Sequence, residues 1–490
     1  MSLYCCSFFI DGLHFLGKAR VKKWSYTCII INNNKSTVCD FMINSRRLSL
    51  LRYQNNRVRN KIINSTISSS SDIYKYNNNN NNDNKNKCYY SLQLNNNNVR
   101  GLICTKEIKK DQKIFSVDIN NTNTNNFFLV DDFSKTSTYW EQFVNMLLAI
   151  ESDENDNLND LLLRQYVNSL PKETIGVANE SLLSENRFDL VSSYLETFDE
   201  KGAKELLKYR QQVQSQLNKA ISNNDDGDDN NNNNDENKKK KKNYIWALSQ
   251  VFSRTFRVEY KKKATRRMMI PVVDLMNHSS NREDVNCSWR VIEDTNESEF
   301  VVEALKDIKI GDELLLSYGE RTDEHFLLFY GFLPRQNPHN TSRLFKDADE
   351  CLNWYQNLCE IDANDENWQV MKLKAKRKRG LLKNTKDGNN RKFGEEGVVV
   401  VGQEEEEQFI LSPDAKVDET TIFFLNELSA NSEMTEAAIR VRAGEILEKF
   451  IGDDVKCEAI LSRLKVEEGM EVDLLSKYRE RKKEILREIL

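Results

Sequence analysis

The sequence predicts an α+β protein, with a mixed strand-and-helix region over residues 99–335 followed by a helical domain over 336–490. Three observations carry this expectation. Short apolar runs broken by turn residues recur around 102–117 and 287–316. Apolar residues return at helical spacing from Tyr139 onward and again after Pro334. Between these patterns lie low-complexity insertions that interrupt a domain without ending it.

Bulk properties exclude several classes. The chain has 490 residues, a net charge of -5 and a pI near 5.8, against the basic balance of a general nucleic-acid binder. No apolar stretch of about 18 residues is present, so no membrane-spanning helix is expected. The ten cysteines form no CxxC pair, which argues against a zinc site or a disulfide framework. The chain is expected to work as a monomer, with reduced thiols, no metal, and neither nucleic acid nor membrane as a partner.

The elements follow in order. Residues 1–98 hold three acidic residues before Lys75, Asp11, Asp40 and Asp72, against about a dozen Lys and Arg. Serines cluster at 68–71 and asparagines run over 77–82, so this tail has little to bury and is expected to be mostly disordered. Its basic, acid-poor start also resembles a transit peptide. The expected compartment is cytoplasmic or nuclear, with mitochondrial or plastid as the alternative if residues 1–75 are such a peptide.

Leu102-Ile103-Cys104 and Ile114-Phe115-Ser116-Val117 flank a polar turn and predict a hairpin. Trp140, Phe143, Val144, Leu147 and Leu148 predict a helix. Leu158, Leu161, Leu162 and Tyr166 predict another, with Pro171 beyond it. Val191 to Leu217 reads as one long polar helix, and residues 222–242 as a loop carrying Lys238 to Lys242. Together these elements make a helical insertion over about 139–256. Cys287 to Ile292 and Phe300 to Ala304 read as strands around a turn, and Gly311-Asp312 turns into Leu314-Leu315-Leu316. Thr322 is an N-cap followed by Asp323 and Glu324, and Gly331 is the stop of a short apolar helix. Beyond Pro334 a charged loop is expected at about 372–407. Leu475, Tyr478, Lys482, Ile485 and Ile489 form one face of a last amphipathic helix, which places Arg479, Arg481 and Lys483 at exposed positions.

Three segments carry chemistry: Arg100-Gly101-Leu102, Pro271 to Ser279 with Asp274 and Asn277-His278, and Gly311 to Gly319 with Tyr318, continuing to Phe329-Tyr330-Gly331-Phe332. In this order and spacing they resemble the SET domain, in the branch typified by the plant RuBisCO large-subunit methyltransferase and its animal relatives. Tyr166 to Pro171, Trp246-Ala247, Ser253-Arg254-Thr255-Phe256 and Leu474 to Leu486 are similar to further stretches of that branch, so the resemblance spans most of 99–490.

The resemblance implies small β-sheets with a pseudoknot, a helical insertion and an all-α C-terminal substrate-binding domain. It implies methylation of a protein lysine, on a substrate other than histones, with S-adenosyl-L-methionine as cofactor. By the same resemblance Tyr318 is the catalytic tyrosine, and Asn277 and His278 are cofactor residues. Gly101 and Leu102 let the backbone approach the cofactor, Arg254 pairs with its methionine carboxylate, and Phe332 packs on its adenine. Tyr330 lines the amine channel. Where the family often has Gly-x-Gly, this chain has Gly101 alone, preceded by Val99-Arg100. Two alternatives stand beside this reading. Protein-histidine methylation occurs in one animal group of the branch, in which the position matching Tyr330 is not tyrosine. A catalytically inactive binding module would have lost Tyr318 or Asn277-His278.

The chemistry agrees with the resemblance. Methyl transfer from a sulfonium is a direct displacement, so aligning a nitrogen lone pair is the main task. A lysine at a pKa of about 10.4 is protonated at neutral pH, and an apolar aromatic channel favours its neutral form by desolvation.

Overall fold

The computed structural model describes residues 3–9, 14–16, 19–21, 24–32, 35–43, 90–94, 99–118, 129–130, 138–152, 164, 166–222, 233–260, 264–293, 298–389, 409–429, 431–466 and 472–490. The chain divides into two compact units, 1–105 and 106–490.

In the first unit, strands Leu3–Phe9, Trp24–Asn32 and Lys35–Ile43 form an antiparallel sheet, with Trp24–Asn32 in the middle. His14–Leu16 pairs with Ala19–Val21. These strands fall within the stretch 1–98 that composition alone leads one to expect as mostly disordered. The run Thr27-Cys28-Ile29-Ile30-Ile31 is rich in β-branched residues, a local signal that the asparagine-diluted composition hides. Tyr90–Leu94 pairs with Arg100–Cys104, placing Leu92 opposite Leu102 and Gln93 opposite Gly101.

The second unit holds the remaining sheets. Ser298–Ala304 lies between Cys287–Glu293 and Lys113–Asp118, all antiparallel. The expected strand pair 287–304 is thus present, in register from Cys287↔Ala304 to Glu293↔Ser298. The expected hairpin is not. Arg100–Cys104 takes Tyr90–Leu94 as its partner and Lys113–Asp118 takes Ser298–Ala304, because strand pairing follows the available edge and not sequence proximity alone. A second sheet joins Thr255–Tyr260, Ala264–Met269 and Leu129–Val130. Asn277–His278 pairs in parallel with Leu315–Leu316.

The helices pack as their apolar faces require. Tyr139–Ser152 buries Trp140, Phe143, Val144 and Leu147 as its period predicts. The expected helix around Leu158 to Leu162 lies outside the described residues, apart from its end near Tyr166. The stretch read as one helix from Val191 is two, Glu185–Glu196 and Glu200–Ser222. The break falls at Thr197 to Asp199, where the Asp199 carboxylate accepts from the Gly202 N–H at 3.2 Å and starts the second helix.

Lys238 to Lys242, read as loop, sits on the helix Asn233–Arg254. Lysine is a good helix former, and Glu236 pairs with Lys240 one turn on at 2.9 Å. The first part of the charged loop expected at 372–407 is likewise helical, within Glu366–Asn389, for the same reason. Residues 223–232 and 390–408 lie outside the described residues.

Two apolar clusters stand out among the described residues. The first gathers Phe143, Tyr209, Val251, Leu328 and Phe329, and takes in Leu475 and Tyr478 from the terminal helix Val472–Ile489. The second gathers Phe345, Trp368, Phe409 and Phe424, and takes in Leu486. The part beyond 336 is helical but not all-α. Ser342–Phe345, Phe409–Ser412 and Lys416–Val417 make a small antiparallel sheet, in which Phe345 pairs with Phe409 and both rings are buried.

Candidate active site

The site residues of the second unit meet around one parallel pairing. The chain enters through Val272, whose φ of 77° is a left-handed conformation rare for a β-branched residue. A 3-10 turn, Val273–Leu275, follows, and Asn277 and His278 then lie beside Leu315 and Leu316. Asn286 stitches this junction from outside. Its side chain accepts from the Leu315 N–H at 2.8 Å and donates to the Glu313 carbonyl at 2.7 Å. The Asn277 amide donates to the Glu313 carboxylate at 2.7 Å.

Tyr318 follows the second strand. Its hydroxyl donates to the Met276 carbonyl at 2.6 Å, so the ring reaches back to the residue just before Asn277. Burial pushes this hydroxyl well above the usual tyrosine range, against the pull of the Arg254 charge, so the phenol keeps its proton. The Tyr318 N–H donates to His278 Nδ1 at 3.0 Å. That bond places the His278 proton on Nε2, which donates to the Ser280 hydroxyl at 2.8 Å. Burial lowers the His278 pKa to about 4, so the ring is neutral at physiological pH.

Aromatic rings close the same corner. His278 stacks on Phe326 at 4.7 Å, and Phe332 lies 5.0 Å from Phe326 and 6.3 Å from His278. Tyr330 lies 5.5 Å from Tyr318, ring to ring. Tyr330 and Phe332 owe these positions to the short helix after Thr322. The Thr322 hydroxyl accepts from the His325 N–H, as its N-cap signal implies. The α turn Asp323–His325 continues as a π turn over Phe326–Tyr330, ending at Gly331 with φ 70°. A Cβ at Gly331 would lie 2.9 Å from the Gly176 nitrogen, so glycine is needed both for the backbone sign and for this close approach.

Arg254 comes from the end of the helix Asn233–Arg254. Its Nη1 donates to the Asp274 carbonyl at 2.9 Å and to the Asp274 carboxylate at 3.2 Å, and its Nε donates to Gln250 at 3.1 Å. This ion pair is largely out of water, with the side chains 11% and 0% exposed. Asp274 also accepts the Tyr166 hydroxyl at 2.7 Å.

The structure therefore brings together Arg254, Asn277, His278, Tyr318, Tyr330 and Phe332. Gly101 and Leu102 are buried on Arg100–Cys104 in the first unit. Sequence reasoning missed Arg321, whose Nε donates to the Tyr318 carbonyl at 2.9 Å and whose guanidinium lies 5.7 Å from the centre of the Tyr330 ring. It also missed Asn286 and Glu313. The offset of three residues from Tyr318 could have flagged Arg321, whereas Asn286 carries no local signal. Among the described residues no group of His, Cys, Asp and Glu could hold a metal ion. Among them too, no helix is long and apolar enough to cross a membrane.

Residues 99–319 match the family model of the SET domain. No curated protein matches the chain. Solved structures similar to it include two of the SET domain of LSMT. A crystal structure of the SET domain of LSMT bound to lysine and AdoHcy is 14% identical, with a TM-score of 0.44 over 82% of this chain and 86% of that one. A crystal structure of the same domain bound to methyl-lysine and AdoHcy is 15% identical, with a TM-score of 0.42 over the same shares, 82% and 86%.

Proposed function

We propose that the protein is an S-adenosylmethionine-dependent methyltransferase of the RuBisCO large-subunit methyltransferase-like branch, acting on a lysine side chain of a non-histone protein. The observation that carries this reading is the Tyr318 hydroxyl held on the Met276 carbonyl, beside the Asn277-His278 pairing, inside a SET domain. S-adenosylmethionine supplies an electrophilic methyl group on a sulfonium. The residues present suit it: Arg254 offers a cation for a carboxylate, and the neutral His278 and the Phe332 ring offer aromatic surface for a base.

The chain's own residues do the rest. The protonated Tyr318 keeps its O–H on Met276, so its oxygen is free to accept an N–H from the incoming amine. That fixes the nitrogen and turns its lone pair away from the tyrosine. Tyr330 and Tyr318 form an aromatic wall that favours the neutral amine over the ammonium. A tyrosine at 330 supports lysine over histidine as the acceptor. The helical part from 336 to 490 serves protein-substrate selection, since the groups suited to methyl transfer all precede it.

The test is incubation of the full-length protein with methyl-labelled S-adenosylmethionine and a cell extract depleted of this protein, followed by mass spectrometry. Label on lysine Nζ is expected. Label on histidine alone, or none on any protein, contradicts the reading.

A further inference from the structure

The Arg254 guanidinium is bracketed from two sides by one short stretch of chain. At one end of that stretch, the Tyr166 hydroxyl donates to the Asp274 carboxylate at 2.7 Å, and that carboxylate receives Arg254 Nη1 at 3.2 Å. At the other end, the Pro171 carbonyl accepts the Gln250 amide at 3.4 Å, and Gln250 returns its own carbonyl to Arg254 Nε at 3.1 Å. The Trp246 indole N–H also donates to the Pro171 carbonyl at 2.7 Å and pins that end. Pro171 and Tyr166 lie 79 and 108 residues from the partners they hold. Gln250 and the Asp274 side chain are fully buried. Two of the three guanidinium nitrogens are thus engaged, and among the described residues Nη2 has no acceptor.

Resting on the cofactor reading above, we propose that the segment Tyr166 to Pro171 is a positioning element that aims Arg254 Nη2 at the carboxylate of the cofactor's amino-acid end. Tyr166 and Gln250 are positioning residues that act through Arg254 and need not touch the ligand. An arginine held on two edges has one edge left, so the bracket sets the direction of its remaining donor and spares the entropy of ordering it on binding.

The experiment compares two ligands on the full-length protein by calorimetric titration. S-adenosylhomocysteine carries the carboxylate, whereas methylthioadenosine keeps the nucleoside and the sulfur but lacks it. Tyr166→Phe and Gln250→Met are each expected to weaken S-adenosylhomocysteine about tenfold and to leave methylthioadenosine unchanged. Neither substitution should add to the loss in an Arg254→Met background. Unchanged S-adenosylhomocysteine binding in both single variants overturns the proposal, and so does an equal loss for both ligands, which marks general loosening. Gln250→Met cuts one arm without touching the other, so it decides the matter alone if Tyr166→Phe does not fold. A wild-type protein that binds neither ligand overturns the cofactor reading itself, and this inference with it.

Discussion

Residues 270–332 and the terminal helix Val472–Ile489 both bury polar groups, by opposite means. Around Tyr318 most partners are backbone carbonyls, amides and neutral rings, with Arg321 on the Tyr318 carbonyl, Glu313 on Asn277 and the Arg254–Asp274 pair as the charged groups. On the terminal helix they are charges. Arg479 and Lys483, expected at exposed positions, are each 3% exposed. Arg479 donates to the Asp454 carboxylate and the Phe450 carbonyl, and Lys483 reaches Asp454 at 2.7 Å and Glu480 at 2.8 Å. Lys482 is buried too, donating to the Thr341 carbonyl. Arg481 pairs at 2.9 Å with Asp323, in the first turn of the helix that carries Tyr330. On the proposed function, mostly neutral partners suit a site that favours a neutral amine, whereas charges with carboxylate partners join segments distant in sequence. The Tyr478 hydroxyl, donating to Asp199, adds one more such joint.

Breaking the charged joint should cost the most stability. Arg479→Met removes two charge-assisted bonds from a buried setting and is expected to lower stability by about 2–3 kcal/mol. Urea denaturation checks this, and a midpoint equal to wild type would show that the charged joint is not holding the helix.

The neutral corner should show itself through pH. Burial lowers His278 to about 4 and His325 to about 3, each from an ordinary 6.5. Between those values the unfolded chain binds the protons and the folded one does not. The stability these rings contribute is therefore complete above pH 6.5 and is lost as pH falls toward 4 for His278, and on toward 3 for His325. Denaturation at a series of pH values should show a shallower acid slope in His278→Asn. An unchanged slope would mean that His278 is not held neutral.

The smallest effect belongs to the exposed Glu236–Lys240 pair, with side chains 64% and 27% exposed. Glu236→Gln should leave the thermal midpoint within error, because water screens such pairs. A clear drop would give surface charge a weight that the comparison assigns to buried charge alone.

This contrast also explains what was legible in the sequence. Local signals held: the Thr322 cap, the Gly331 stop, the 287–304 strand pair and the buried stripe on Tyr139–Ser152 all depend on neighbours within a turn or a hairpin. The grouping of Asn277, His278, Tyr318, Tyr330 and Phe332 followed from motif order. Partners that depend on distant chain were hidden. Periodicity takes a charge as surface, so Arg479 and Lys483 read as exposed, because Asp454 is supplied by another helix. Tyr166 is legible as a helical position and within a family stretch, but its bond to Asp274 is not, since that partner lies 108 residues away. The lysine runs suggest loops by composition, yet lie on helices because lysine is a good helix former.

Replacement of one oxygen tests the central claim. Tyr318→Phe removes the hydroxyl that rests on Met276 and keeps the ring that faces His278 and Tyr330. Methyl transfer to the native protein substrate should be measured beside S-adenosylhomocysteine affinity in the same preparation. The account predicts a loss of turnover of at least about a hundredfold with cofactor affinity unchanged, as expected when a positioned polar group acts only on the reacting nitrogen. Wild-type turnover in Tyr318→Phe would contradict it.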